Sequence, residues 1–231
     1  IKTIIDNKAD IIEIGMPFSD PMADGPTIQL SSNRSIKNGT TLNEIFDIVE
    51  NIREFNKDIP IILMGYYNII FNYGIRNFTK KCSESGVDGL IVVDLQPEED
   101  EELYIETKHN DIDLIRLITP TTDKKRLLLI VKKASGFLYY VTVTGITGQN
   151  SANLKELKKS IDLIKHHSNL PIIAGFGIKN SKDVREICKY TEGVVVGSSI
   201  VKIIEKNINN RDKMFELLNA FIKNLKEGTY R

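Results

Sequence analysis

The chain is poor in the residues that build disulfide and metal sites: its 231 residues include two cysteines and three histidines. Cys82 and Cys188 lack both CxxC spacing and the dense pattern of a disulfide framework, so we interpret them as reduced thiols. His109, His166 and His167 lack the spacing of metal ligands and lie in polar surroundings. The sequence therefore predicts no disulfide and no metal site.

Charge of one sign is not in excess, because Lys+Arg and Asp+Glu both number 31 and the formal net charge is +0. Nucleic acids and anionic membranes need a basic face, so this balance disfavours both partners. The most apolar stretch, 60–71, is interrupted by Asn68 and is too short to span a bilayer. No signal-peptide pattern is visible, which predicts a cytoplasmic protein, or an organellar one if a targeting segment lies upstream of Ile1.

Short apolar, β-branched runs alternate with amphipathic helical patterns along the chain. The predicted strands are 10–15, 60–65, 87–94, 112–118, 136–142, 170–175 and 193–197, and the predicted helices are 42–55, 75–85, 97–109, 124–134, 154–166, 181–190 and 200–207. Such alternation indicates parallel strands joined by right-handed crossovers, with both faces of the sheet covered.

Seven strands are visible, and Ile1, Ile4 and Ile5 already follow a helical period before the first of them. One more strand before Ile1 would complete the eight of a (β/α)8 barrel. We therefore predict an α/β fold, a TIM barrel that lacks its first strand in this chain. The predicted organisation is one domain, 1–231, incomplete at its N-terminus, and a doubly wound open sheet is the alternative fold.

The stretch 12–29 places two carboxylates where chemistry is expected. Glu13 lies inside a short apolar strand, where a carboxylate costs several kcal/mol unless it is paired or protonated. Asp24 follows in a loop that contains two prolines. Burial raises the pKa of a carboxyl group toward neutrality, whereas a carboxylate in a wetter loop stays ionised, so the two can take separate roles. The alternatives are a Glu13 satisfied by a neighbouring loop and an Asp24 that only caps a turn.

Glycine-rich turns follow the last two predicted strands, at 175–178 (GFGI) and 197–200 (GSSI). Glycine lets backbone N–H groups approach an anion closely, and the second turn leads into a helix, whose N-terminus favours negative charge. Phosphate sites after the last two strands recur in TIM barrels. We therefore predict a phosphate site at these turns, to which the loop 144–148 (TGITG) could add an amide; two purely structural turns are the alternative.

Five blocks of the sequence resemble one family, the α subunit of tryptophan synthase. They are 13–29 (EIGMPFSDPMADGPTIQ), 63–68 (LMGYYN), 141–148 (VTVTGITG), 175–178 (GFGI) and 196–201 (VGSSIV). The first block is highly specific, and the resemblance runs from the first residues to about residue 207. It implies a carbon–carbon lyase of tryptophan biosynthesis, which cleaves indole-3-glycerol phosphate to indole and glyceraldehyde 3-phosphate by a retro-aldol reaction.

The resemblance also implies roles for single residues. Glu13 would be the general acid/base that protonates the indole ring carbon and helps to remove the glycerol hydroxyl proton. Asp24 would hold the indole N–H and stabilise the positive charge that develops on that nitrogen. The expected substrate-binding residues are Tyr66, Tyr139, Thr147 and Phe176, and the expected phosphate-binding residues are Gly148, Gly177, Gly197 and Ser198.

A partner is implied as well. No cofactor is expected in this chain, because pyridoxal phosphate would belong to a separate β subunit that consumes indole, in an α2β2 assembly. Gln96 stands where the family usually has proline, in a segment at the family's subunit interface, and bears on partner affinity.

Three other functions stay open at this point. One is a stand-alone indole-releasing lyase, and another is a catalytically poor barrel that serves as an activating subunit. The last is a different phosphate-sugar isomerase or aldolase-like barrel, which is disfavoured because no candidate Schiff-base lysine lies at a strand end in the matched blocks.

Overall fold

The computed structural model of the chain describes residues 1–141, 151–175 and 177–229, with only the backbone of 151–153. Its contacts divide the chain into two units, which are described one at a time. Unit 1 comprises Ile1–Ile5 and Asp10–Ile115, and unit 2 comprises Asp6–Ala9 and Arg116–Arg231.

The strands of the first half of the chain pair in parallel and in chain order. They are β1 (Ile12–Gly15), β2 (Ile61–Gly65), β3 (Gly89–Val92) and β4 (Asp113–Ile118), of which β4 pairs with β3 through 113–115. The helices described there are α1 (Lys2–Asp6), α2 (Pro26–Lys37), α3 (Leu42–Phe55), α4 (Tyr67–Tyr73), α5 (Ile75–Ser85) and α6 (Glu101–His109).

Unit 2 continues the same order, since 116–118 of β4 pair with the next strand. The strands that follow are β5 (Leu138–Val141), β6 (Ile172–Gly175) and β7 (Gly193–Val195). The helices are α7 (Lys124–Lys132), α8 (Ser151–His167), α9 (Ser181–Ile187), α10 (Ser198–Lys206) and α11 (Arg211–Glu227).

Burial along the strands explains how each unit is held together. Every residue of β3 is buried, and β2 is buried except for a partly exposed Met64, as expected for strands covered on both faces. Phe46 on α3 and Phe78 on α5 are completely buried in unit 1. In unit 2, Leu138 and Ile172 on neighbouring strands lie in one apolar cluster with side chains of α8 and α9. Apolar burial of this kind is the main stabilising contribution to each unit.

Helix caps set the helix boundaries within the described residues. Thr41 precedes α3 and forms a capping box with Glu44: the Thr41 N–H donates to Glu44 Oε2 at 2.7 Å, and the Glu44 N–H donates to Thr41 Oγ1 at 3.4 Å. Asp123 and Asn180 cap α7 and α9 more simply, since their side-chain oxygens accept N–H groups of the first helical turn.

All seven predicted strands are present, and their parallel order confirms the predicted barrel-type α/β fold over the doubly wound sheet, in which the strand order reverses. The helix predicted before the first strand is also present, as α1. The single-domain organisation and a strand before Ile1 stay predictions. Three helices, α2, α4 and α11, lie in segments for which the sequence analysis gave no helix.

Candidate active site

Glu13 lies in β1, on the face opposite the buried side chains of Ile12 and Ile14. Its side chain has exposed surface, yet the surrounding protein desolvates its carboxyl group. This burial, and to a smaller extent the negative charge of Asp24, raises the pKa of Glu13 from 4.5 to about 7. Such a carboxyl group can both donate and accept a proton near neutral pH.

The exposure and the desolvation of Glu13 fit a side chain that lines a concave, water-accessible part of the protein. The predicted rise in the pKa of Glu13 is present. The strand around it is not continuously buried as expected, because β1 alternates between buried and exposed side chains. Within the described part of the chain, no hydrogen bond to the Glu13 carboxyl group is found.

Asp24 is held by Tyr66, which follows β2. The Tyr66 hydroxyl donates to Asp24 Oδ2 at 3.1 Å and accepts the Ala23 N–H at 2.9 Å. Tyr66 is 3% exposed, and burial raises the pKa of its hydroxyl to about 12, so it is a neutral donor at physiological pH. The hydroxyl thus fixes Asp24, while the predicted contact of Tyr66 with a substrate stays a prediction.

The setting of Asp24 is drier than the sequence suggested. Asp24 is half-buried, and this burial raises its pKa above the usual 3.8, while the hydrogen bond from Tyr66 acts in the opposite direction. Gln29 Nε2 also donates to the backbone oxygen of Asp24 at 2.9 Å, from the first turns of α2. Asp24 is therefore a positioned carboxylate rather than a mobile loop residue.

The loop that carries Asp24 is anchored along its length. At its start the Met16 N–H donates to Met64 O at 2.8 Å, which extends the pairing of β1 with β2. The Phe18 N–H donates to Ser32 Oγ at 2.9 Å, and Ser32 Oγ donates to Phe18 O at 2.9 Å. The ring of Phe18 lies 5.2 Å from that of Tyr66, centroid to centroid. These contacts fix the path between Glu13 and α2.

Asp94 is a residue that the sequence analysis did not single out. Its Oδ1 accepts the N–H of Tyr67, the first residue of α4, at 2.7 Å. Asp94 follows β3 closely, and the Val93 N–H donates to Gly65 O at 3.0 Å, so the two strand ends remain side by side. A polar residue just after a buried parallel strand is the signal that could have found it.

The two glycine turns of unit 2 have open space beside their backbones. Gly177 has φ +60°, a left-handed conformation that favours glycine, and Gly197 directly precedes α10. A Cβ built on either glycine would meet no atom within 4 Å. A ligand can therefore approach the main chain at both positions.

The two serines at the start of α10 differ in their contacts. Ser199 Oγ donates to Ile178 O at 2.9 Å and so ties the turn after β6 to the first turn of the helix. Ser198 is exposed, and its hydroxyl has no hydrogen bond among the residues described. The first turn of α10 has no acidic side chain, so its N–H groups and the Ser198 hydroxyl present a favourable environment for an anion.

Tyr139 lies in β5 and is buried against the end of β6. A Cβ on Gly175 would lie 2.8 Å from Tyr139 Cε1 and 2.9 Å from the Tyr139 hydroxyl oxygen. The ring therefore requires a glycine at position 175, where the predicted phosphate turn begins.

Three of the predicted site residues lie outside the described residues: Thr147, Gly148 and Phe176. Among the residues that are described, no group of three or more His, Cys, Asp or Glu side chains could hold a metal ion. Within the same residues, no helix combines the length and the apolar character needed to cross a membrane.

Comparison with known proteins gives one result. The family model described as "Tryptophan synthase alpha chain" matches residues 1–230. The tryptophan synthase alpha chain of Geobacter sp. (strain M21) is 45% identical over 223 residues, which are 96% of this chain and 82% of that protein. The crystal structure of tryptophan synthase subunit alpha from Legionella pneumophila str. Paris has 32% identity and a TM-score of 0.90, over 99% of this chain and 84% of that one. A chain from the tryptophan synthase α2β2 complex of Pyrococcus furiosus has 36% identity and a TM-score of 0.86, over 96% and 88%.

These matches cover the strands and loops from which both candidate regions are built, and the structural ones confirm the TIM-barrel-type fold. The family uses no cofactor of its own, because pyridoxal phosphate belongs to the β subunit. The chain belongs to the tryptophan synthase α-chain family, the carbon–carbon lyases that cleave indole-3-glycerol phosphate in tryptophan biosynthesis.

Proposed function

We propose that Glu13 is the general acid/base of the cleavage. Protonation of the indole ring carbon requires an acid whose pKa is near the working pH, and the observation that carries the proposal is the pKa of about 7 at Glu13. Burial and the charge of Asp24 both raise this pKa, so the protonated form is populated at neutral pH. The same group then accepts the proton of the glycerol hydroxyl as the carbon–carbon bond breaks.

Asp24 is proposed as the acceptor of the indole N–H. A carboxylate beside that nitrogen stabilises the positive charge that develops when the ring carbon is protonated. The hydrogen bond from Tyr66 supports this role, because it leaves Asp24 Oδ1 available and holds the carboxylate in one orientation. An oriented charge contributes more in a transition state than a mobile one, because no reorganisation is needed during the reaction.

The phosphate is proposed to bind to the amides of Gly177 and Gly197 and to the amide and hydroxyl of Ser198. The open backbones of the two glycines and the start of α10 support this assignment. Gly148 is proposed as a further amide donor, and Tyr139, Phe176 and Thr147 as substrate contacts, on the strength of the family resemblance.

We propose a β subunit as the partner, in an α2β2 assembly like the one named for the Pyrococcus furiosus relative. Indole released by this chain would then be consumed by the partner, which would carry the pyridoxal phosphate. The proposed location is the cytoplasm, where thiols such as those of the buried Cys82 and Cys188 stay reduced.

The test follows indole release from indole-3-glycerol phosphate, with and without a β subunit, by fluorescence. The chain contains no tryptophan, so indole emission is read against a tyrosine-only background. Glu13→Gln and Asp24→Asn are compared with matched controls: Glu54→Gln on the exposed side of α3, and Asp20→Asn in the same loop as Asp24. Both site variants are expected to lose activity, and both controls to keep it.

The outcomes separate the remaining functions. Release that depends on Glu13 and rises with the partner supports the proposal. Strong release that no partner increases points to a stand-alone lyase instead. A folded parent that binds the partner but releases no indole would show a non-catalytic activating subunit and would overturn the roles of Glu13 and Asp24.

A further inference from the structure

Hydrogen bonds connect the loop after β1, which carries Asp24, to residues just after β2 and β3. The Tyr66 hydroxyl, just after β2, binds both Asp24 Oδ2 and the Ala23 N–H. The next residue, Tyr67, begins α4, and its N–H is bound by Asp94 Oδ1, just after β3. One continuous set of contacts therefore runs from the end of β3 to Asp24.

Asp94 holds the main chain next to Tyr66, at the start of α4. Tyr66 is the residue that precedes α4, and its own side chain makes no cap to that helix. The Tyr67 N–H is one of the N–H groups that a helix leaves without a partner inside the helix, and Asp94 satisfies it at 2.7 Å. A negative charge beside a helix N-terminus is also electrostatically favourable. Asp94 thereby holds the main chain at Tyr67, the residue next to Tyr66.

We propose that Asp94 is a positioning residue for the cleavage reaction, acting through the Tyr67 amide and the Tyr66 hydroxyl on Asp24. Its contact is with the main chain of α4, so it holds the geometry of the site and takes no part in proton transfer. This inference rests on the proposed role of Asp24. The charge of Asp94 also contributes to the raised pKa of Tyr66, after burial and the effects of Ala23 and Asp24, which agrees with its position beside the tyrosine.

Loss of Asp94 should act on the rate more than on substrate binding. Asp24 is proposed to accept the indole N–H in the bound substrate, but the positive charge on that nitrogen develops only in the transition state, so a displaced Asp24 should lower kcat by a larger factor than it raises KM. A catalytic group displaced by about 1 Å can lose on the order of 10²-fold in rate, so the smaller shift expected here should cost roughly tenfold in kcat.

The experiment measures kcat and KM for indole release with Asp94→Ala, Asp94→Asn and the control Glu99→Ala. Glu99 is an exposed acid in the same loop and gives the same change of charge as Asp94→Ala. Asp94→Asn keeps a carbonyl acceptor for the Tyr67 N–H, so it is expected to recover most of the kcat that Asp94→Ala loses. If the alanine variant does not fold, Asp94→Leu replaces it, because Leu has nearly the shape of Asp and no acceptor for the Tyr67 N–H, so the same loss of kcat is expected.

A double variant separates positioning from general destabilisation. If Asp94 acts through Tyr66, Asp94→Ala should add little to the loss already caused by Tyr66→Phe, whereas independent effects would multiply. Equal kcat in Asp94→Ala and Glu99→Ala, or a full multiplication in the double variant, overturns the inference. Asp24→Asn in the same series distinguishes the two levels: if it is fully active, the role proposed for Asp24 fails, and if it is inactive while Asp94→Ala is unaffected, only the inference about Asp94 fails.

Discussion

The two ends of the strands in unit 1 are built in opposite ways. Before β3, Asp88 Oδ2 accepts the Ile61 N–H at 2.6 Å and is paired with Arg53 at 2.6 Å, so its charge is fully matched. Beyond the carboxyl-terminal end of β1 lies Asp24, whose negative charge, together with burial, opposes the ionised form of Glu13 in that strand and raises the pKa of Glu13 to about 7. In α/β barrels the amino-terminal ends of strands serve stability and the carboxyl-terminal ends serve catalysis. In unit 1 this division is visible in single side chains.

At the amino-terminal ends of the strands, Arg53 makes several hydrogen bonds. Its guanidinium group donates from Nε and Nη2 to Gly86 O at 2.9 and 2.7 Å, and from Nη1 to Ile59 O at 2.7 Å. The ion pair of Arg53 with Asp88 completes the link between α3 and the amino-terminal ends of β2 and β3. Arginine suits this position because its planar group donates in several directions at once.

Unit 2 contains a smaller version of the same arrangement. Glu192 precedes β7 as Asp88 precedes β3, and its Oε2 accepts the Ile172 N–H, the first of β6, at 2.9 Å. Lys165 on α8 takes the place of the arginine, with Nζ 2.8 Å from Glu192 Oε1 and 3.0 Å from Tyr190 O. Burial alone would raise the pKa of Glu192, but the bonds from Lys165 and Ile172 outweigh it and lower that pKa.

The sequence around β2 and β3 is similar to the sequence around β6 and β7. An aliphatic residue, Ile59 or Leu170, is followed by Pro-Ile-Ile at 60–62 and again at 171–173, and an acid-glycine pair lies at the start of the next strand at 88–89 and at 192–193. In each case the glycine lies opposite the second isoleucine in the strand pairing. Lysine offers fewer directed donors than arginine, so the comparison predicts a weaker link in unit 2.

Glu13→Gln is expected to give the largest effect of all. Loss of a general acid/base typically lowers the rate by about 10²–10⁴-fold, so kcat/KM for indole release should fall by that amount. Stability should not fall at pH 8. Folding raises the pKa of Glu13 above its unfolded value, so the parent loses stability as the pH rises from about 4.5 through about 7. Urea unfolding at pH 8 checks this; a strongly destabilised variant would place Glu13 among the stabilising residues.

Arg53→Ala is expected to lower stability and to leave activity nearly unchanged. The side chains of Arg53 and Asp88 are 18% and 49% exposed, and removal of Arg53 leaves Asp88 without its cation and the oxygens of Gly86 and Ile59 without the guanidinium donors. The half-exposed ion pair contributes about 0–1 kcal/mol, and leaving the carbonyl oxygens unsatisfied costs on the order of 1–3 kcal/mol, so the free energy of unfolding should fall by roughly 2 kcal/mol. Activity per folded molecule should stay within about twofold at a temperature where the variant is folded, because this end lies away from the chemistry. Urea unfolding and kcat/KM on one sample measure both; a large loss of kcat/KM in folded protein would contradict the division between the two ends.

Gly175→Ala should lower stability and also weaken substrate binding, each by a modest amount. The new methyl group would lie 2.8 Å from the ring of Tyr139, and overpacking of this kind typically costs about 1–3 kcal/mol. The strain falls on the residue that begins the proposed phosphate turn, so KM for the substrate should rise. Gly193→Ala is the matched control, because its methyl group would meet the end of the Ile173 side chain at 3.1 Å, where a small movement relieves the contact. A KM that rises equally in both variants would argue against the phosphate turn.

Lys165→Ala should give the smallest effect. The Lys165 side chain is 43% exposed, and an exposed pair contributes about 0–1 kcal/mol to stability. The loss should fade as the pH falls, because Glu192 has a lowered pKa in the folded state and its contribution disappears as it becomes protonated. Thermal unfolding of Lys165→Ala and Arg53→Ala under identical conditions compares the two links. A cost as large as that of Arg53→Ala would mean that the arginine geometry is unimportant.

The strands β2 to β5 were predictable because most of their residues are buried, which leaves a clear apolar signal in the sequence. The strands β1 and β7 are less buried, and their signal is the run of β-branched residues. The helices that were missed have separate reasons. No residue of α2 is fully buried, so its apolar periodicity is weak, and α4 begins directly after β2 inside one apolar stretch. The helix α11 did carry a signal, since Leu218, Ile222 and Leu225 repeat at helical spacing and are buried.

The candidate site was predictable in its residue types but not in its contacts. A glutamate in a short apolar strand predicts a raised pKa, and the glycine turns predict open backbone. Neither pattern shows that Tyr66 would bind Asp24, because the two are 42 positions apart in the chain. The bond from Tyr67 to Asp94 was hidden for the same reason: it depends on two strand ends that only the fold brings together.

The most direct test of the account is the pH dependence of kcat/KM for indole release by the parent protein. Carbon protonation needs Glu13 in its acid form, so kcat/KM should fall by up to tenfold for each pH unit above a pKa of about 7. A phosphate monoester titrates near pH 6, so its ionisation should appear as a separate feature at lower pH. A kcat/KM that stays constant from about pH 6.5 to 9, or that falls in the same way in the residual activity of Glu13→Gln, would contradict Glu13 as the acid of the reaction.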